Sequence, residues 1–165
     1  MGIIQGGEVI TMILYHASDV EVKKPEIRKA VYAKDFGFGF YCTANYAQAE
    51  RWAKRDRNLV SVINHYEYEA VDSLSVQKFD AMTDEWLDFI ADCRSGKEHD
   101  FDIVEGPMAN DTVWNYVNDF VSGVISREAF WALAKFKYPT HQICFCTPEA
   151  LKCISFLKAE VIEKI

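Results

Sequence analysis

The chain has 165 residues, 50% hydrophobic, 26% charged and 14% aromatic, with a formal net charge of -7. That length and composition fit one globular domain with a sizeable core. No run reaches the roughly 18 apolar residues a membrane-spanning helix needs. The acidity disfavours broad binding to nucleic acid or anionic membranes, which takes many exposed cations.

Residues 1–11 carry three glycines in the first seven positions and lack the basic start and long apolar core of a secretory signal. They read as a flexible lead to a single domain over 12–165. Residues 12–16 (MILYH) read as a short first strand ending in His16. From Lys23 to Lys34 there is a basic excess, with Lys24, Arg28 and Lys29 opposed only by Glu26, and Pro25 makes its start a loop. It is either a solvated loop or a lip that meets an anionic ligand. Residues 35–43 (DFGFGFYCT) alternate glycine with aromatics, which predicts a strand with two distinct faces. Glycine inside a strand marks a bulge, or the close approach of another backbone or a ligand. Two readings stand for this stretch: a glycine-bulged core strand, or a pocket with Tyr41 on its wall.

Tyr46, Ala49, Trp52 and Ala53 fall at helical spacing within 45–57, with Thr43 or Asn45 as the cap. Residues 60–71 are β-branched and aromatic, and long enough for a central strand. A helix is predicted over 83–94, stopped by Gly96. A strand over 101–104 is broken at Gly106-Pro107. Asn110 or Asp111 caps a helix whose stripe of Val113, Trp114, Val117, Phe120 and Val121 ends at Gly123. Ser126 caps another helix through Phe130, Leu133 and Phe136. Residues 142–146 form a strand, Thr147-Pro148-Glu149 starts a helix with proline at its first position, and a short last strand lies near 155–162. The class is α+β.

Five cysteines, an odd number without a regular framework, indicate reduced thiols and a cytoplasmic setting. Cys144 and Cys146 share one strand face. With His141 they still fall short of the four ligands of a structural zinc site, so they read as small buried hydrophobes and no metal is expected. Cys42 with His16 or His65 lacks the orienting group of a nucleophilic thiol.

The chain order is a histidine ending the first strand, a tyrosine in a glycine stretch followed by a helix, and a polar residue on a late strand. It resembles the ADP-ribosyltransferase fold, in the branch with a His-Tyr-Glu triad shared by diphtheria-toxin-like toxins and poly-ADP-ribose polymerases. The matching residues are 15–18 (YHAS), 37–43 (GFGFYCT) and Gln142, which stands where that family carries glutamate. From Met12 onward the chain also resembles a bacterial domain family of unknown function with the phrases DFGxGFYxT, QAxxWA and GPxAND. They stand here at 35–43, 48–53 (QAERWA) and 106–111 (GPMAND).

The resemblance implies a split, mixed β-sheet core with flanking helices. It also implies transfer of ADP-ribose from NAD to an acceptor, in a toxin or effector held in check by a small partner protein. His16 would hold a ribose and Tyr41 would stack on the cationic nicotinamide ring. Gly37 and Gly39 would admit the ligand close to the backbone, while Ser18 and Lys34 would reach the diphosphate. Gln142 would complete the triad but is neutral and cannot be a general base. That leaves transfer of a single ADP-ribose, or a catalytically degenerate module that binds NAD, another nucleotide or a protein. Asp111 and Asp102 are spare carboxylates for an additional acid, with helix capping the default role of Asp111. The acidity favours a protein or small-molecule acceptor over nucleic acid.

Overall fold

The structure, a computed structural model, describes residues 3–5, 8–29, 34–55, 60–109, 111–135 and 140–163. In chain order the elements are β1 (Ile3–Gln5), β2 (Glu8–Ile10), β3 (Met12–Ser18), β4 (Phe40–Cys42), α1 (Tyr46–Arg55), β5 (Val60–Tyr68) and β6 (Val76–Lys78). There follow α2 (Asp84–Arg94), β7 (Ile103–Pro107), α3 (Asp111–Val121), α4 (Arg127–Ala134), β8 (His141–Phe145), α5 (Pro148–Leu151) and β9 (Ile154–Glu163). The fold is α+β. Among the described residues no helix is long and apolar enough to cross a membrane.

Two sheets carry the architecture. An antiparallel sheet runs β3-β5-β9, and a mixed sheet runs β4-β8-β7-β6 with β6 parallel to β7. The strands β1 and β2, within the segment read as a lead, pair with each other and join neither sheet. Side-chain alternation explains the layering. On β8, Ile143 and Phe145 point to one face, where they pack with Leu14, Tyr66 and Tyr68 of the antiparallel sheet. The intervening Cys144 points to the other face and packs with Trp86, Ile90, Val113 and Phe130 of the helices. The helix α1 covers the outer face of the antiparallel sheet, packing Ala49 and Ala53 on Ile63 of β5. Four layers result: α1, sheet, sheet, and α2 with α3 and α4.

Local signals account for the helix starts. Thr83, Ser126 and Thr147 accept hydrogen bonds from the backbone N–H three residues on, capping α2, α4 and α5. Asn45 does the same for α1 through Gln48 N. Asn110, Phe136 and Pro139, and the side chain of Asp111, lie outside the described residues.

Three expectations are corrected, and one strand is new. Residues 35–39 form no strand: Gly37 has φ +85°, and its N–H bonds to Lys34 O at 3.0 Å in a turn. The strand at 103–107 is not broken by Gly106-Pro107, because proline is its last residue and Met108 N resumes the ladder to Thr140 O at 2.7 Å. The last strand is not short but ten residues long, since β5 pairs with it from end to end across a bulge at His65/Tyr66. The strand at Val76–Lys78 has no counterpart among the sequence expectations; three residues are too few for a periodic signal.

Candidate functional site

The two sheets meet at an isolated bridge between Tyr15 of β3 and Thr43, the residue after β4, which exchange backbone hydrogen bonds of 2.8 and 2.9 Å. Beyond that bridge the two sheets part. A cleft of about 270 Å³ opens there, lined by His16, Ser18, Lys34, Gly37, Gly39 and Tyr41. The sequence brings these residues together by local means: His16 is the next residue of β3 after the bridge, and the turn at Gly37 folds residues 34–39 back over it. Asp19, Lys24, Glu26 and Arg28 complete the rim, so the basic stretch read as loop or lip does border the cleft.

A side chain replaces the missing ladder. His16 Nδ1 lies 2.6 Å from Tyr41 O, a carbonyl that can only accept, so the proton sits on Nδ1. Nε2 is then a lone-pair acceptor, and it has no partner among the described residues. Burial, with help from Lys34, pushes the His16 pKa below the ordinary imidazole range and outweighs the Tyr41 carbonyl. Stacking on Phe40, at 4.1 Å between ring centroids, holds the ring in place.

Tyr41 plays two parts. Its hydroxyl donates to Gly37 O at 2.5 Å and accepts from Phe36 N at 3.1 Å, closing the turn. Burial raises its pKa well above the usual phenol value, so it keeps the proton it donates. Its ring carries the Lys34 ammonium 5.2 Å from the centroid. The ring face that borders the cleft thus already attracts a cation.

Residues 12–156 match the model of a family described as "Protein of unknown function (DUF3990)". This chain belongs to that family. No curated protein and no solved structure matches it. The DUF3990 match takes in the cleft and also the buried polar cluster beneath it.

Gln142 belongs to that cluster and does not line the cleft. Its Nε2 donates to Asp35 Oδ2 at 3.3 Å, and Ala109 N donates to the same oxygen at 2.9 Å. The other Asp35 oxygen is paired with Arg94, both side chains being almost wholly buried. Arg94 in turn lies on the Trp114 ring, 4.3 Å from its centroid. A neutral amide at 142 suits this carboxylate, whereas a second carboxylate would repel it. Asp102 is spent elsewhere, accepting from Thr147 Oγ1 at 2.6 Å and from Ser75 N at 3.0 Å, bonds that hold its pKa below the usual value.

Gly39 is small for a reason internal to the fold: a Cβ there would lie 2.3 Å from Cys144 Sγ. Gly37 and Phe38 also border a second cleft of about 370 Å³ on the far side of the turn, with His99 and Cys146 on its wall. Sequence reasoning missed Asp35, Arg94, Asp19 and His99. A buried charge pair leaves no periodic trace, and the only signal was that Asp35 opens the DFGxGFYxT phrase.

Proposed function

We propose that the protein is a mono-ADP-ribosyltransferase that takes NAD as substrate and passes ADP-ribose to a protein or small-molecule acceptor. One observation carries this reading: a single cleft gathers His16, Ser18, Lys34, Gly37, Gly39 and Tyr41, the residues the resemblance assigns to NAD. His16 Nε2 would accept a ribose hydroxyl. The nicotinamide ring, cationic in NAD, would take the place of the Lys34 ammonium on Tyr41 and free Lys34 for the diphosphate. At about 270 Å³ the cleft is small for a ligand site. It would enclose one end of the dinucleotide and leave the other along the rim at Lys24 and Arg28.

In the transfer, the bond from ribose C1 to nicotinamide breaks and nicotinamide leaves with the electron pair. The acceptor adds to C1 and gives up a proton. Gln142 cannot take that proton, being an amide bound to Asp35. Asp19 and Glu26, or a carboxylate of the acceptor itself, would take it. A second reading, a module of the same fold that binds NAD, another nucleotide or a protein without turnover, is favoured by that placement of Gln142.

Labelled NAD incubated with the protein, with and without cell lysate, separates the two. Transfer or nicotinamide release that falls at least about tenfold in His16→Ala and Lys34→Ala, a loss of about 1.4 kcal/mol, supports the transferase. Binding without release supports the second reading. A result of neither binding nor release rejects the transferase and any NAD-binding module.

A further inference from the structure

The second cleft holds chemistry that the first does not use. Cys146 follows directly on β8, half-buried on the wall of this cleft, and Cys144 stands two residues earlier with no exposed surface. On an extended segment residues two apart share a face, and the two sulfurs lie 3.4 Å apart. His99 lines the same cleft and is fixed at both nitrogens. Nε2 donates to Phe36 O at 2.8 Å, and Nδ1 accepts from Phe101 N at 3.1 Å. Among the described residues no group of three or more His, Cys, Asp or Glu could hold a metal ion. The sulfur pair therefore reads as a dithiol and not as half of a metal site.

The two thiols are unlike. Burial pushes Cys144 well above the ordinary thiol range. Contact with the Cys144 sulfur and the neighbouring His99 hold Cys146 below it, against its own burial. Cys144 is fully buried and Cys146 lines the cleft, so Cys146 is the thiol that an entering oxidant meets first.

We propose that Cys146 is a peroxide-reactive thiol and Cys144 its resolving partner, the oxidant being hydrogen peroxide or a small organic hydroperoxide that enters the second cleft. The Cys146 thiolate attacks one peroxide oxygen, the O–O bond breaks, and alcohol or water leaves after protonation; Cys146 becomes a sulfenic acid. The Cys144 sulfur then attacks the Cys146 sulfur, the S–O bond breaks, and hydroxide leaves with the Cys144 proton as water. Two thiols have become one disulfide, and the peroxide has been reduced by two electrons. Residues two apart on an extended segment are about 6.6 Å apart at Cα, near the upper limit for a disulfide. The bond is therefore readily reversed by thiols. Cys144 Sγ packs directly on Gly39 of the first cleft, so drawing it toward Cys146 also loosens that wall. The proposal does not depend on what the first cleft binds.

The test is peroxide treatment of the reduced full chain, followed by alkylation and mass spectrometry of the tryptic peptide 138–152, which contains both residues. The expected result is loss of two hydrogens within that peptide, reversed by dithiothreitol and absent in Cys146→Ser. It should occur at doses that leave Cys42 and Cys153 open to alkylation after denaturation. Before oxidation, Cys146 should alkylate at least about tenfold faster than Cys153 at neutral pH. In Cys144→Ser, dimedone should label Cys146. Should that buried substitution prevent folding, the wild-type peptide decides alone. Oxidation of Cys146 no faster than of Cys153, or a disulfide joining Cys146 to Cys93 or to a second copy, overturns the proposal.

Discussion

A single methyl group tests the packing at Gly39. A Cβ there would meet Cys144 Sγ at 2.3 Å and Phe145 O at 2.7 Å, and a backbone oxygen cannot step aside. Gly39→Ala should therefore destabilise the fold by about 1–3 kcal/mol, read from the urea midpoint. Gln142 makes the opposite kind of argument, from charge. Gln142→Glu would restore the acid of the His-Tyr-Glu pattern, but it would set a carboxylate against Asp35. Its expected result is a loss of about 1–3 kcal/mol at neutral pH, partly regained in acid as one carboxyl protonates, and no gain in transfer. His16 adds a pH signature. Its folded pKa is depressed, so the unfolded chain binds the proton more tightly, and stability falls as pH drops below about 6.5 toward the folded value. Unfolding midpoints measured between neutral pH and the acid range should show this slope, and His16→Phe should flatten it. At this scale the sequence singled out His16, Tyr41 and both glycines. What each touches was beyond it, because Cys144 and Gly39 are far apart in the chain.

Between elements, the buried pair of Asp35 and Arg94 does the joining. It ties the glycine turn to the last turn of α2, while Ala109 N and Gln142 bring in the chain beyond β7 and strand β8. Removing one partner strands the other in a low-dielectric site. Asp35→Asn or Arg94→Met should each cost about 3–5 kcal/mol. The double substitution should cost clearly less than the sum, a difference that chemical denaturation in a double-mutant cycle reads directly. The helices themselves were legible in advance: Thr83, Ser126 and Thr147 cap where the sequence predicts starts, and apolar spacing marks the buried faces. The turn at 35–39 was not. Alternating glycine and aromatic residues carry the period of a strand, and the left-handed φ of Gly37 overrides that period.

For the whole molecule, what matters is where the two sheets separate. The bridge at Tyr15 and Thr43 is their backbone contact, and beyond it the cleft opens beneath Lys24, Arg28 and Lys34. If that rim meets a diphosphate, ADP-ribose affinity should fall as ionic strength rises. Removing Lys24 and Arg28 together should weaken binding by about 1.5–3 kcal/mol per lost contact and reduce the salt dependence, both measurable by calorimetry. From the sequence alone came the α+β class, the order of most elements, the helix caps and the stretch around which the cleft forms. All are written in residues close together in the chain, through spacing, capping and turn chemistry. Tertiary structure alone decided the parting of the sheets, the burial of Gln142 against Asp35 and the meeting of Cys146 with its own cleft. Each rests on strand register and on contacts between distant segments, which local periodicity does not encode.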